Sequence, residues 1–440
     1  MSKQVVIFTT FSEISPAYSL NRIVQDQLKM LLTHGYEPIV IVAESFEPEG
    51  IYADPKVTIK RIPLVPVHNE VKKDETFDED VAKLKLALEE VLKDADVVIT
   101  HDIVYQPACL KHNIAARQIA DGLPNLLWLH WIHSATSPMT LTNLKPYFSE
   151  VYVNLVSKPF PNSKYVFFND YSIPRIANNF NVPESNVRVV HHPSDLGAVF
   201  GLTKAVEGFS HDKDLFSADA IAIYPIRLDR GKQVEMVVKT MACLKEFDLK
   251  VKCIIVDFHS TGGDKVTYRN ELKNIGIDWG LNQDELIFTS DAREEWEVEV
   301  PYEDLMGLFR LANVFIMPSR SESYSLITQE AGLNKCVVVL NQDFAPFRDI
   351  FGANAIYRQY SANIGFNGQD GNVNTEYGPG DAYPEERATY EKNYHKDTAG
   401  MILSQLKNNK NLALSIFLRK YRNLDFVFKH ELEPLFMEKV

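Results

Sequence analysis

Cysteine is scarce here: four residues in 440 (Cys109, Cys243, Cys253 and Cys336), with none of the spacing that a zinc site or disulfide framework needs. Three of the four lie in apolar surroundings, so buried free thiols in a reducing compartment are expected. No apolar run approaches the roughly 20 residues that cross a bilayer, and the opening MSKQVVIFTT enters a strand pattern with no signal-peptide character. A soluble, cytoplasmic chain without stable membrane insertion is the expectation. Cationic charge is short as well. Lys and Arg number 46 against 59 Asp and Glu, a net charge of −13. That balance argues against a broad basic surface for nucleic acid or anionic lipid, but leaves room for a local basic cleft. No G-x-G-x-x-G follows any strand-like run, so a dinucleotide-binding dehydrogenase has no support.

What the chain does have is length and alternation. At 440 residues it exceeds one ordinary core and suits two domains, and 45% hydrophobic with 24% charged residues is the balance of a globular enzyme. Short β-branched runs alternate with longer helical patterns, as in parallel sheets covered by helices on both faces. Strands are expected at 5–9, 39–43, 97–100, 126–130, 166–168 and 187–190, then at 220–224, 251–257, 286–288, 314–317 and 336–340. Between the first two, SLNRIVQDQLKMLLTHGY carries apolar residues at helical spacing and a Gly35 stop. FGLTKAVEGFSHDKDLFSAD, at 200–219, breaks the alternation and reads as a linker. The fold class expected is α/β: two doubly wound, Rossmann-like domains, 1–200 and 201–425, with a helical segment 426–440 returning to the first. Residues 362–386, rich in Gly, Asn and acids, form a long irregular loop, either functional or without fixed structure.

The chemistry concentrates in three places. In PSRSESYSLITQEA, 318–331, Glu322 and Glu330 stand eight positions apart, one after the apolar run 314–317 and one on the helix expected next. Eight residues is a little over two helical turns, so both carboxylates are expected on nearly one face. A helix N-terminus suits a phosphate and flanking acids grip hydroxyls, which is the chemistry for a sugar joined to a diphosphate. Upstream, YPIRLDRGKQVEMVVKTMACLK ends a strand at Arg227 and begins a helix near Lys232. Two cations there can clamp a diphosphate; alone, the pair reads equally well as a solvated basic turn. In LLWLHWIHSATSP, 126–138, His130 ends an apolar strand, where open α/β sheets bind ligands. His133 is the alternative should the strand run three residues further, and a packed histidine is the bland reading. His101, His191 and His192 are weaker candidates. No third ligand accompanies the His130/His133 pair, so no metal is expected.

RLDRGKQVEMVV followed by PSRSESYSLITQEAGLNKCVVVL resembles the nucleotide-sugar half of retaining glycosyltransferases of the two-domain B fold, in the large family numbered four (glycosyl transferases group 1). NDYSIPRIANNFNVPESNVRVVHHPSD is similar to that family's passage into the interdomain hinge, so the resemblance covers roughly residues 1–345. It implies a GT-B architecture, with the domains facing across a cleft, no cofactor, and a nucleoside-diphosphate-sugar donor, expected to be UDP-linked. Carried over, Arg227 and Lys232 bind the diphosphate, Glu322 the donor-sugar hydroxyls and Glu330 the ribose. Amides of Ser325 and Leu326 complete the phosphate cradle, with Ser323 and Tyr324 in the same substrate-binding turn. His130 faces the sugar, and base contacts fall in 289–293, ending at Arg293. One departure stands out: FSEISPAYSLNR has no glycine where the family carries a Gly-rich turn, leaving Ser19 as a hydrogen-bond donor beside the phosphate.

The activity implied is transfer of a hexose or pentose with retained anomeric configuration, by front-face displacement onto an acceptor hydroxyl. TTFSEISPAYSLNRI and WLHWIHS are also similar to bacteriophage-encoded transferases, some of which sugar-modify hydroxylated DNA bases, which would place the chain in a host cytoplasm. Only local basic clusters (Lys111, Arg117; Arg419, Lys420, Arg422) favour DNA, so a carbohydrate or small-molecule acceptor ranks ahead of it. A nucleotide-sugar epimerase and a non-catalytic sugar-binding protein are the rivals. The second is disfavoured because Arg227, Lys232, Glu322 and Glu330 are all present. No feature of the sequence indicates an oligomeric state.

Overall fold

The apolar runs expected as strands all lie in parallel ladders. In a computed structural model the chain divides into two units, Met1–Ser194 with Arg422–Val440, and Asp195–Tyr421. The described residues are 3–15, 18–66, 75–134, 154–155, 157–258, 265–319, 322, 324–360 and 384–438; most of the loop expected at 362–386 lies outside them.

The first unit holds β1 (Val5–Phe8), β2 (Ile39–Ala43), β3 (Thr58–Ile62), β4 (Val97–His101), β5 (Leu127–Trp131), β6 (Ser163–Phe167) and β7 (Val187–Val189), in the order β3-β2-β1-β4-β5-β6-β7. Both faces of this sheet are covered, which is why its strands read as unbroken apolar runs. In β1, Val5 and Ile7 enter one buried cluster while Val6 and Phe8 enter the other, as the period of two requires. The helix Ser19–Thr33 buries Val24, Leu28 and Leu31, and Gly35, at φ +81°, takes the left-handed conformation that stops it. The segment from Arg422 onward belongs to this unit. His34 stacks on Phe428 with ring centroids 4.1 Å apart, and the Arg188 guanidinium donates to both oxygens of Glu438 at 2.7 and 2.8 Å.

The second unit holds β8 (Ala220–Arg227), β9 (Val251–Phe258), β10 (Leu286–Phe288), β11 (Val314–Met317), β12 (Val337–Asn341) and β13 (Ile356–Arg358), in the order β10-β9-β8-β11-β12-β13. The order in which strands are laid down therefore reverses between β8 and β11, which run parallel, the point where doubly wound sheets open a crevice at their carboxyl ends.

Two expectations need correction. The supposed linker at 200–219 contains the helix Lys204–Asp212, capped by Thr203, whose Oγ1 accepts from the Val206 amide at 3.2 Å. Val206 and Phe209 are fully buried; two large apolar residues in so short a helix were too few to show as a period. The edge strands β3 and β13 were not expected. Their sequences, TIKRI and IYR, are charged and only partly buried, as edges that must resist pairing with another chain tend to be.

Candidate active site

The carboxyl ends of β8 and β11 bring the two motifs of the second unit together. After Arg227, a turn Arg230–Lys232 leads into the helix Val234–Lys245. The Lys232 ammonium donates to Glu322, ninety positions on, with the two side chains only 21% and 17% exposed. Gln233 fastens the same junction. It is fully buried at φ +51°, in the left-handed region that costs a non-glycine residue roughly 1–3 kcal/mol, and its Nε2 donates to the Pro318 carbonyl. Its Oε1 is buried with no hydrogen-bond partner. Gln233 was not legible beforehand, because an amide held in the left-handed region carries no compositional signal.

The expected helical spacing of the two glutamates does not occur. The helix begins only at Leu326, so Glu322 stands before it on irregular backbone and the eight-residue periodicity has no bearing. Glu330, on the helix Leu326–Leu333, accepts from the Tyr302 hydroxyl at 3.2 Å instead. Ser325 caps that helix from the left-handed region, at φ +76°, with its hydroxyl 2.8 Å from Thr328 Oγ1. Leu326 and Tyr324 are exposed, and the Tyr324 hydroxyl accepts from Gln329 at 2.6 Å. Ser323 lies outside the described residues. Arg227 is exposed and donates to Asp229 at 3.2 Å. Arg293 stands further along the same sheet end, its guanidinium 5.5 Å from the Trp296 ring centre and its Nε donating to Glu295 at 2.6 Å. It borders a cavity of about 410 Å³ shared with Lys265, Arg269, Ser290 and Asp291. Beneath that cavity the fully buried Asp257 accepts from the Ser290 amide and hydroxyl at 3.0 and 2.7 Å.

In the first unit the histidines sort differently from expectation. His130 does not end its strand, which runs on to Trp131. Its ring is fully buried, edge-on to Phe160 at 4.4 Å, and its Nδ1 lies 2.9 Å from Thr100 Oγ1. Burial, then the nearby Arg117, hold its pKa well below the ordinary value, so it is a neutral core residue. His133, two residues past the strand, is partly exposed. Its Nε2 is 3.0 Å from His101 Nδ1, and His101 Nε2 is 2.9 Å from Gln27 Oε1. With Gln27 Oε1 accepting, His101 donates through Nε2 and accepts through Nδ1. His133 must then carry its proton on Nε2, leaving Nδ1 as the basic nitrogen. Burial, then His192, lower His133 to about 4. Ser19 is the exposed first residue of its helix.

A cavity of about 380 Å³ opens at the carboxyl ends of β1 and β4, lined in part by Ser12, Glu13, Asn21 and Asp102. Asp102 sits just beyond β4 at φ +61° and accepts from the Tyr105 hydroxyl. Burial raises its carboxyl to about 6. Like Gln233 it was not singled out in the sequence; the strand-end dipeptide His101–Asp102 was the available signal. The described residues contain no group of three or more His, Cys, Asp or Glu side chains placed to hold a metal, and no helix long and apolar enough to cross a membrane.

Residues 208–363 match the family model described as glycosyl transferases group 1. The second unit carries a glycosyl transferases group 1 domain. On that domain the chain is a glycosyltransferase, with the two parallel-sheet α/β units that the B-fold resemblance implied. No curated protein matches its sequence. Solved structures similar to this glycosyltransferase include a glycosyltransferase from Rickettsia africae ESF-5, at 15% identity and a TM-score of 0.37, covering 99% of this chain and 98% of that one. Another is Anabaena HepE in complex with UDP and glucose, at 13% identity and a TM-score of 0.34, covering 99% and 100%. A third is an E. coli structure described as trehalose-6-phosphate bound with UDP-2-fluoro glucose, at 13% identity and a TM-score of 0.37, covering 99% of each chain.

Proposed function

We propose that this glycosyltransferase moves a sugar from a nucleoside-diphosphate donor, UDP-linked, to an acceptor hydroxyl with retention of anomeric configuration. The observation that carries the reading is the Lys232–Glu322 pair at the β8/β11 switch point, beside the start of the helix Leu326–Leu333. A cation, a carboxylate and a helix end in one place match the three needs of a sugar diphosphate: charge on the phosphates, acceptors for hydroxyls and free backbone donors.

In this structure Lys232 and Glu322 satisfy one another. With donor bound, the ammonium turns to the diphosphate and Glu322 accepts from sugar hydroxyls, while Glu330 takes the ribose and Arg293 the base. As the anomeric C–O bond breaks, negative charge grows on the departing diphosphate, and Arg227, Lys232 and the amides of Ser325 and Leu326 stabilise it where it forms. The acceptor oxygen bonds to the anomeric carbon on the same face, and its proton passes to an oxygen of the leaving phosphate. The role expected of His130 passes to His133, the partly exposed histidine at the end of β5. The cationic clamp does the work a divalent metal would otherwise do.

The test is turnover with a panel of nucleoside-diphosphate sugars in EDTA, following the anomeric proton of the product by NMR. Retention with acceptor-dependent release of nucleoside diphosphate supports the reading. Inversion, or an epimerised donor without transfer, sinks it.

A further inference from the structure

The acceptor's chemistry can be read from the cavity at the carboxyl ends of β1 and β4. Its volume, about 380 Å³, falls within the roughly 300–1,000 Å³ of pockets that hold small ligands. Its polar groups are strongly one-sided. The Glu13 and Asp102 carboxylates line it, with hydroxyls from Thr10, Ser12 and Ser15, and no Lys or Arg stands among its described lining residues. His101, also on the wall, is held neutral, first by its own burial and then by His133.

A second, independent observation points to a ligand. Asn21 lines the same cavity at 3% exposure, and its carbonyl oxygen has no hydrogen-bond partner. A buried amide oxygen left unpaired forfeits the hydration it had in the unfolded chain, so the fold keeps it at a loss unless something donates to it. Asp102 stands on the same wall, receiving the Tyr105 hydroxyl and the His133 amide, with burial raising its carboxyl to about 6. Among its described lining residues the cavity therefore offers hydrogen-bond acceptors and no Lys or Arg. A hydroxyl group supplies what is missing. A phosphate supplies none of it and meets two carboxylates.

We propose that this cavity holds the acceptor, and that the acceptor is an uncharged, hydroxyl-rich molecule, a sugar carrying no phosphate, gripped by Asp102, Asn21 and Glu13. The inference rests on the transfer reading above and narrows it: phosphorylated sugars and DNA are disfavoured as acceptors, because their phosphates meet two carboxylates and no Lys or Arg among the described lining residues. The exposed Tyr18, whose ring meets Phe11 at 6.2 Å, stands on the cavity wall and offers an aromatic face of the kind sugar rings pack on.

The experiment uses the intact chain and saturation-transfer NMR with named probes. These are the methyl glycosides of glucose, galactose, mannose and N-acetylglucosamine, with maltose and cellobiose. Glucose 6-phosphate and a short oligonucleotide containing 5-hydroxymethylcytosine are the charged counterparts. At least one neutral sugar should bind, at least tenfold more tightly than either charged probe. Asp102→Asn and Asn21→Leu, both close in shape to the native residues, should each weaken it at least fivefold. UDP affinity, measured on the same samples, reports the second unit separately and should be unchanged in both variants. Preferred binding of glucose 6-phosphate or the oligonucleotide would overturn the proposal, as would no binding by any neutral probe or neutral binding indifferent to both substitutions. Loss of UDP binding in the native chain, with neutral sugars still bound, would instead strike the donor reading and leave this site standing.

Discussion

Removing the Lys232 ammonium is the most informative single change. In Lys232→Ala the Glu322 carboxylate loses its partner at a site where both side chains are about four-fifths covered. Stripping one member from a fully buried pair costs about 3–5 kcal/mol and from an exposed pair under about 1, so a loss of roughly 1–2 kcal/mol is expected here. For a unit of this size that lowers Tm by about 2–8 °C. The effect on turnover should be far larger. Losing one preorganised donor to a developing anion costs about 2–4 kcal/mol of transition-state stabilisation, or about 30- to 900-fold in kcat. The assay is kcat and KM at saturating donor, beside a melting curve on the same sample. Lys232→Arg, which keeps charge but not shape, should recover part of the rate and most of the stability. A Lys232→Ala protein that melts early but turns over within threefold of the native rate would refute the role given to this residue, since the ion pair would then be structural only.

Other consequences follow from the same geometry. His130→Gln should lower stability by about 1–3 kcal/mol, by disturbing a buried ring and orphaning Thr100 Oγ1, and leave both KM values alone. His133→Gln should instead cut kcat tenfold or more with little change in melting, and the reverse assignment would restore His130 to the site. Gln233→Ala should raise donor KM and destabilise by about 1 kcal/mol, because the amide from the turn to the Pro318 carbonyl is lost; Gln233→Gly should destabilise less, the left-handed backbone being free for glycine. Acid should unfold the chain early. Burial holds His112 at about 4 and His395 at about 3, so the folded state binds fewer protons than the unfolded one below the ordinary histidine value near 6.5. Stability is then complete above pH 6.5 and drains away as pH falls, by about 2 kcal/mol per ring between 6.5 and 5. Urea denaturation at the two pH values checks this, and His112→Asn should flatten the slope.

The parallel sheets were legible because a strand buried on both faces must be apolar throughout, so 39–43, 286–288 and 314–317 read as strands at their observed bounds. Strand ends were less so: the apolar pattern around His130 does not show that the ladder reaches Trp131, and that one residue moved the histidine from the rim into the core. The edge strands β3 and β13 escaped notice because their exposure makes them polar, whereas the edge β10, buried along its length, was read from its apolar run. At the candidate site, Arg227, Lys232 and Glu322 were visible as charges between a strand and the helix after it, and Glu330 as a charge on such a helix. The pairing of Lys232 with Glu322 was not, because it depends on β8 and β11 being neighbours, and sheet order is not written in any single stretch of chain. The buried Asn21 oxygen and the left-handed Gln233 were hidden for a related reason: both matter through what surrounds them.

A crystal structure with a nucleoside diphosphate bound tests the central claim most directly. The account predicts the phosphates within hydrogen-bonding distance of the Lys232 ammonium and the amides of Ser325 and Leu326, with Lys232 drawn off Glu322. A diphosphate lodged elsewhere, with the Lys232–Glu322 pair intact, would contradict it.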